Sequence, residues 1–194
     1  MPPLTTFDSQ HGGNVNDSQL DYYGKRLATA SSDGTVRIWN VAQDNQQQQF
    51  SAELKGHSGP VWQVSWAHPK FGTILASVSS DSQVIIWRET RPQQWQIAHQ
   101  QALGASCTTC AFAPWEYGLQ LAVATSDGRA QVLSYSAANT WEATQVGGSH
   151  SGGVSAVAWA PATSPATLAS GPAVEGAQLA PQRLATAGRD GVSR

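Results

Sequence analysis

The stretch Gly56–Trp87, GHSGPVWQVSWAHPKFGTILASVSSDSQVIIW, decides how this chain is read. It opens on Gly56-His57 and enters an alternating segment from Val61 to Ala67, breaks at Pro69 and Gly72, and resumes from Leu75 to Ser79. A Ser80-Asp81-Ser82 turn then leads to a third apolar run, Val84–Trp87, and Trp95–His99 supplies a fourth segment. Period-two alternation bounded by Gly, Pro, Ser and Asp predicts short, half-buried antiparallel strands.

The same unit recurs on either side. Leu27–Trp39 (LATASSDGTVRIW) aligns with Leu75–Trp87 without a gap, Leu121–Leu133 (LAVATSDGRAQVL) follows, and Leu184–Arg194 (LATAGRDGVSR) gives a shorter fourth copy. The turn aspartates Asp33, Asp81, Asp127 and Asp190 lie 48, 46 and 63 positions apart. The long third spacing holds an Ala-, Pro- and Gly-rich insert, 163–182, which reads as a loop. A four-stranded unit with a Gly-His near its start and an Asp-then-Trp near its end resembles one blade of a WD-repeat β-propeller. The expected fold is therefore all-β, about three and a half blades in a single array over residues 1–194. Blade one covers about 7–50, blade two about 51–101, blade three about 102–146, and blade four about 147–194. The polar run Gln43–Gln49 reads as a solvated connection, and no helix of consequence is expected.

Composition narrows the functional classes. The chain has 194 residues, of which 40% are hydrophobic and 12% charged, and its net charge is −2. That balance suits a domain with its own core. Eleven Lys and Arg offset by thirteen acids leave no basic footprint for nucleic acid. No apolar run reaches the roughly 20 residues of a membrane helix, and Met1-Pro2-Pro3-Leu4 has no signal-like character.

His57, Ser79 and Asp81 are the residue types of a nucleophilic triad. The set recurs as His11, Ser31 and Asp33, however, and each copy ends on a tryptophan, Trp39 or Trp87. An enzyme needs one active site, whereas a repeated set of His, hydroxyl, Asp and indole is what strapping buried polar groups together inside each blade requires. In unit three Leu103 and Leu133 replace the histidine and the tryptophan while Thr125 and Asp127 remain. Unit four keeps His150 and Asp190, with Gly188 at the assigned hydroxyl position. A structural hydrogen-bond network is thus expected, with no catalytic residues, cofactor or metal.

Cys107-Thr108-Thr109-Cys110 is the usual first suspect for zinc or redox work. On a strand an offset of three places the two thiols on opposite faces about 10 Å apart, beyond the roughly 7 Å limit of a disulfide. Two reduced thiols are expected, at least one in the core. His68 and His99 read as solvated, and the glycine-rich 147–153 reads as an inter-blade loop.

Several runs are more specific than a generic WD repeat. They are Asp21-Tyr22-Tyr23-Gly24 before Arg26-Leu27-Ala28-Thr29, the segment Gly59–Pro69 (GPVWQVSWAHP), Val84–Glu89 (VIIWRE), and Ala156–Pro161 (AVAWAP) followed by the long insert. Together they closely resemble the Sec-thirteen family, the small propeller shared by the COPII vesicle coat and the nuclear-pore Y complex. The resemblance implies a non-enzymatic scaffold built on an open six-bladed propeller. An α-solenoid partner, the cage subunit of the coat or a scaffold nucleoporin, adds the missing blade by β-augmentation. It also implies a place on the cytoplasmic face of the endoplasmic reticulum and its vesicles, peripheral to the membrane, and at the nuclear pore, with no small-molecule substrate. By carry-over the partner edge is blade one, with Thr6, Phe7, Asp8, Ser9, Gln10 and His11 as candidate partner-binding residues beside the strands from Leu27 to Trp39. The rival readings are a Seh-one-like nucleoporin and a histone-tail or ubiquitin-ligase substrate reader. A propeller closes with about four to eight blades, so the stop just after the Asp-Gly turn of unit four predicts a C-terminally truncated chain.

Overall fold

Alternating apolar residues on short segments punctuated by Gly and Asp turns fold here into antiparallel sheets (computed structural model; residues 7–41, 48–148, 150–162 and 180–194 are described). The first sheet holds β1 (Val15–Leu20), β2 (Arg26–Ser31), β3 (Thr35–Asn40) and β4 (Gln49–Lys55), paired in that order. The second holds β5 (Val61–Trp66), β6 (Ile74–Ser79), β7 (Gln83–Arg91) and β8 (Gln94–Ala102). The third holds β9 (Cys107–Phe112), β10 (Gln120–Thr125), β11 (Ala130–Tyr135) and β12 (Trp141–Gln145), and β13 (Val154–Trp159) pairs with β14 (Leu184–Gly188) in the fourth. Among the described residues the only helical pieces are two 3-10 turns, Pro69–Phe71 and Trp115–Tyr117. The boundary expected at residue 50 runs through β4, which pairs with β3 up to Lys55. Most of the Gln-rich run and of the 163–182 insert lies outside the described residues.

The strands β1, β5, β9 and β13 lie side by side around a common axis. The apolar cores sit between successive sheets. Ala28, Val36 and Ile38 of the first sheet pack on Val61, Val64, Leu75 and Trp87 of the second. In the next layer Ile74, Val78 and Ile86 pack on Leu103, Cys107, Cys110, Leu121 and Leu133. These are the stacked, radially arranged sheets of a partial propeller.

Each of the four inner strands carries a one-residue bulge at the same place, leaving Asn16, Trp62, Thr108 and Ser155 opposite no partner. A bulge shifts the alternation and re-aims one side chain. All four bulged residues line a single cavity of about 430 Å³ at one end of the axis, together with Arg189. The bulge also overturns the expectation that the two cysteines face opposite sides of the strand. With Thr108 bulged out, Cys107 and Cys110 fall in the same core cluster, both buried, and both are free thiols.

Candidate functional site: the blade network and the open face of the first sheet

In the first, second and fourth sheets the turn aspartate accepts a hydrogen bond from an amide of the loop that enters the sheet, Gly12 to Asp33, Ser58 to Asp81 and Ser151 to Asp190. Asp81 Oδ2 accepts from the Ser58 amide at 2.9 Å and Oδ1 from the Gln83 amide at 3.0 Å. His57 Nδ1 lies 3.0 Å from Asp81 Oδ2, and His57 Nε2 lies 2.8 Å from the Ser77 hydroxyl. The Trp87 indole N–H donates to the same hydroxyl at 2.8 Å. Because the ionised Asp81 can only accept, Nδ1 of the neutral His57 ring carries the proton; Nε2 is then the acceptor, and Ser77 donates to it while accepting from the indole. Burial pushes the His57 pKa down, more than Asp81 can raise it. Burial opposes ionisation of Asp81, yet the Ser58 amide and His57 outweigh it and hold the carboxyl below its usual range.

The first sheet repeats the arrangement. His11 Nδ1 is 3.0 Å from Asp33 and Nε2 is 2.9 Å from Thr29 Oγ1, to which Trp39 Nε1 donates at 3.3 Å. In the fourth, His150 joins Asp190 at 2.9 Å and Thr186 Oγ1 at 2.9 Å.

The structure therefore moves the hydroxyl of the network. Ser31, Ser79 and Thr125 do not bond a histidine or an indole. Ser79 instead donates to the Gly59 carbonyl at 3.0 Å and accepts from the Asp81 amide, and Ser31 accepts from the Asp33 amide. The network hydroxyls are Thr29, Ser77 and Thr186, two residues earlier on the same face of each strand. Gly188 is not a lost hydroxyl: a β-carbon there would sit 2.2 Å from His150 Nδ1, so the ring occupies that space. In the third sheet the corresponding trio is Leu103, Val123 and Leu133, all buried. There Thr125 Oγ1 and Arg129 hold Asp127 instead, and the Arg129 hydrogen bond brings the carboxyl down to about 2. Every histidine of the set is enclosed, with side-chain exposure of 1%.

Neighbouring sheets are joined by a second, different set of bonds. Asp17 Oδ2 accepts from the Val64 amide at 3.0 Å and Gln19 Oε1 from the Trp66 amide at 2.8 Å. One sheet on, Gln63 Oε1 accepts from the Cys110 amide at 2.8 Å and Ser65 Oγ from the Phe112 amide at 3.2 Å. Side-chain donors cross the same joints to main-chain carbonyls, as Asn16 to Val61 O and Trp66 Nε1 to Gln19 O do; the sheets remain separate, so blades meet through side chain to main chain bonds and not through main-chain strand pairing.

Of the candidate partner-binding residues, Thr6 lies outside the described residues. Phe7 packs edge-on against Trp39 at 5.1 Å, and Arg37 donates to the Ser9 carbonyl. Asp8 accepts from the Gln10 amide, and His11 belongs to the network. This lead-in lies over β2 and β3. The face of the first sheet that no neighbouring sheet of the described chain covers is β1, where Val15 is 44% and Leu20 52% exposed.

Radially arranged antiparallel sheets, two of them strapped by a His–hydroxyl–Trp and His–Asp network and a third by its His–Asp and His–Thr part, define a WD-repeat propeller protein. The family model described as "WD domain, G-beta repeat" matches residues 1–40 and 48–88. The chain is 46% identical over 164 residues to "Protein SEC13 homolog" of Drosophila melanogaster, covering 84% of this chain and 45% of that protein. It is 43% identical over 192 residues to "Protein transport protein sec13" of Emericella nidulans, covering 94% and 60%. With "Protein transport protein SEC13" of Cryptococcus neoformans it shares 42% over 201 residues, covering 96% and 60%. It belongs to the SEC13 family of WD-repeat proteins, and spans about half to three-fifths of the length of these relatives.

Proposed function

We propose that the chain is the propeller portion of a non-enzymatic scaffold subunit of the COPII coat, acting in ER-to-Golgi transport and also in the nuclear pore complex. The observation that carries this reading is identity of more than 40% to proteins named for protein transport, extending over nearly the whole chain. An α-solenoid partner, a coat cage subunit or a scaffold nucleoporin, adds a blade beside β1. The repeated histidines support a structural role, because each is spent on its own turn aspartate and closed off from solvent. Such a subunit works on the cytoplasmic face of the endoplasmic reticulum and at the pore, reaching the membrane only through the assembled coat. The test is affinity capture of the tagged full-length protein. α-Solenoid cage proteins and scaffold nucleoporins in stoichiometric amounts are expected; histones or ligase subunits in their place would overturn the reading.

A second reading, a peptide-reading WD adaptor, is favoured by one observation. Trp62, 42% exposed, and Arg189 share the wall of the 430 Å³ axial cavity. Paired replacement of Trp62 and Arg189 by alanine separates the two, since a scaffold keeps its partner and a reader loses its peptide.

A further inference from the structure

The seams between successive sheets are not closed alike at their outer ends. At the first, Arg26 of β2 reaches across to Glu89 of β7 and pairs with it at 2.5 Å. Arg26 stands one place before Leu27 as Ile74 stands one before Leu75, and Glu89 stands two places after Trp87 as Tyr135 stands two after Leu133. The second seam therefore carries Ile74 and Tyr135 where the first carries an ion pair. A groove of about 480 Å³ lies there, with both residues in its walls.

One wall is the cross-strand row Ile74, Arg88 and Gln96 of the second sheet; the other is Leu119, Tyr135 and Trp141 of the third. Ile74 and Leu119 are buried, whereas Arg88, Gln96 and Tyr135 are exposed, so the floor is apolar and the mouth is polar. His99 stacks on Trp141 across the seam at 5.7 Å. The charge is one-sided. Strand alternation sends Glu89 to the opposite face, where Arg26 takes it, and turns Arg88 into the groove. Arg88 is the one charged group among the described residues that line it, and it has no carboxylate partner among them. The Tyr135 hydroxyl is spent on Asn139 Oδ1 at 3.1 Å. An unpaired cation above buried apolar side chains complements an apolar residue flanked by an acid. Both walls are four-stranded sheets with another sheet on the far side. A further sheet of a longer protein joins beside the first or the fourth, and does not enter this seam.

We propose that this groove docks a partner protein, at a site separate from the scaffold contact proposed above, and that its occupant is a short extended acidic segment with a large apolar side chain. The apolar side chain enters between Ile74, Leu119 and Trp141, and a neighbouring carboxylate meets the Arg88 guanidinium at the mouth. The segment lies along β8 and β12, the outermost strands of their sheets, which carry Gln96 and Trp141.

The test uses the full-length protein and synthetic Gly-Ser peptides, each with one Phe and one Asp at varied spacing, beside matched sets with Lys for Asp or Ser for Phe. Binding is read from the NMR signals of the Ile74 methyl and the Trp141 indole. The Phe–Asp set should bind with a Kd of about 0.1–1 mM, and the other two sets at least about tenfold more weakly. Arg88 is exposed, so Arg88→Glu should leave the melting temperature in place and transfer the preference to the Phe–Lys set. Arg88→Gln should weaken the Phe–Asp set about tenfold and leave the Phe–Lys set unchanged. Equal binding of the Asp and Lys sets, or a preference that neither substitution alters, overturns the inference. So does the absence of any shift with the Phe–Asp set at about 2 mM. Contacts of these two signals with another segment of the same chain, or broadening with protein concentration, also overturn it, because the protein itself or a second copy then fills the groove. None of these outcomes touches the scaffold reading, which its own capture experiment decides.

Discussion

Ser77, rather than Ser79, is the hydroxyl that His57 and Trp87 share, and the difference marks what residue-level reading can reach. Residues 77 and 79 are both buried and point to the same face, so period-two logic cannot separate them. The separating signal was nonetheless in the alignment. The position four before each turn aspartate reads Thr29, Ser77, Val123, Thr186, and it loses its hydroxyl in the one unit that also lacks His and Trp. The position two before reads Ser31, Ser79, Thr125, Gly188 and does not follow that loss. Exchanging the whole trio for apolar residues leaves no orphaned polar group, which is why Leu103, Val123 and Leu133 can sit fully packed. The expected consequence is strong coupling. His57→Leu alone should cost about 2–3 kcal/mol, because Ser77 and Asp81 lose a buried partner. The triple His57→Leu, Ser77→Val, Trp87→Leu should cost at least about 1 kcal/mol less than the sum of the three single changes. Urea titration of the four variants measures this, and strict additivity would show that the network does not act as a unit.

Strand pairing was legible because Asp turns and alternation are local; the joints between elements were not, because they depend on bulges. A bulge has no composition signature in this chain: Asn16, Trp62, Thr108 and Ser155 share no chemistry. Missing it put Cys107 and Cys110 on opposite faces, and the single extra residue at Thr108 brings both into one core. The same feature sets the phase of the acceptors that follow it, so Gln63 reaches the next sheet and bonds both the Cys110 amide and Thr109 Oγ1, the latter at 2.6 Å. Gln63→Ala strands the Cys110 amide between packed sheets and should destabilise by about 2 kcal/mol. Gln63→Glu keeps the acceptor and should lose less. A shift of denaturant midpoint with an unchanged slope is the expected result for both. Equal losses would mean that the side chain acts by filling space.

At the scale of the molecule the repeated turns make stability depend on pH in one direction. Burial opposes ionisation of Asp33 and Asp81 but is outweighed by their donors, while Arg129 and His150 lead in lowering Asp127 and Asp190. Each carboxylate takes up its proton earlier when unfolded, so stability is lost as pH falls below about 4. Burial lowers the His57 pKa. The unfolded chain therefore binds that proton first, and a smaller loss begins as pH falls through about 6.5. Melting temperatures should be highest above pH 7, decline gently from about 6.5 and steeply below 4; a maximum near pH 5 would mean that folded His57 is held protonated, against the lowering by burial. The overall architecture was readable because four copies of one unit overrule any single ambiguous segment, whereas the joints between blades become visible only once neighbouring sheets can be compared in space. The buried thiols carry a last consequence. Burial pushes Cys107 up to about 12 and raises Cys110 as well, and alkylation requires the thiolate. Maleimide therefore gains access only while the second and third blades stand apart. Its uptake by the native protein is a clock for the breathing of that seam, with no cysteine to introduce.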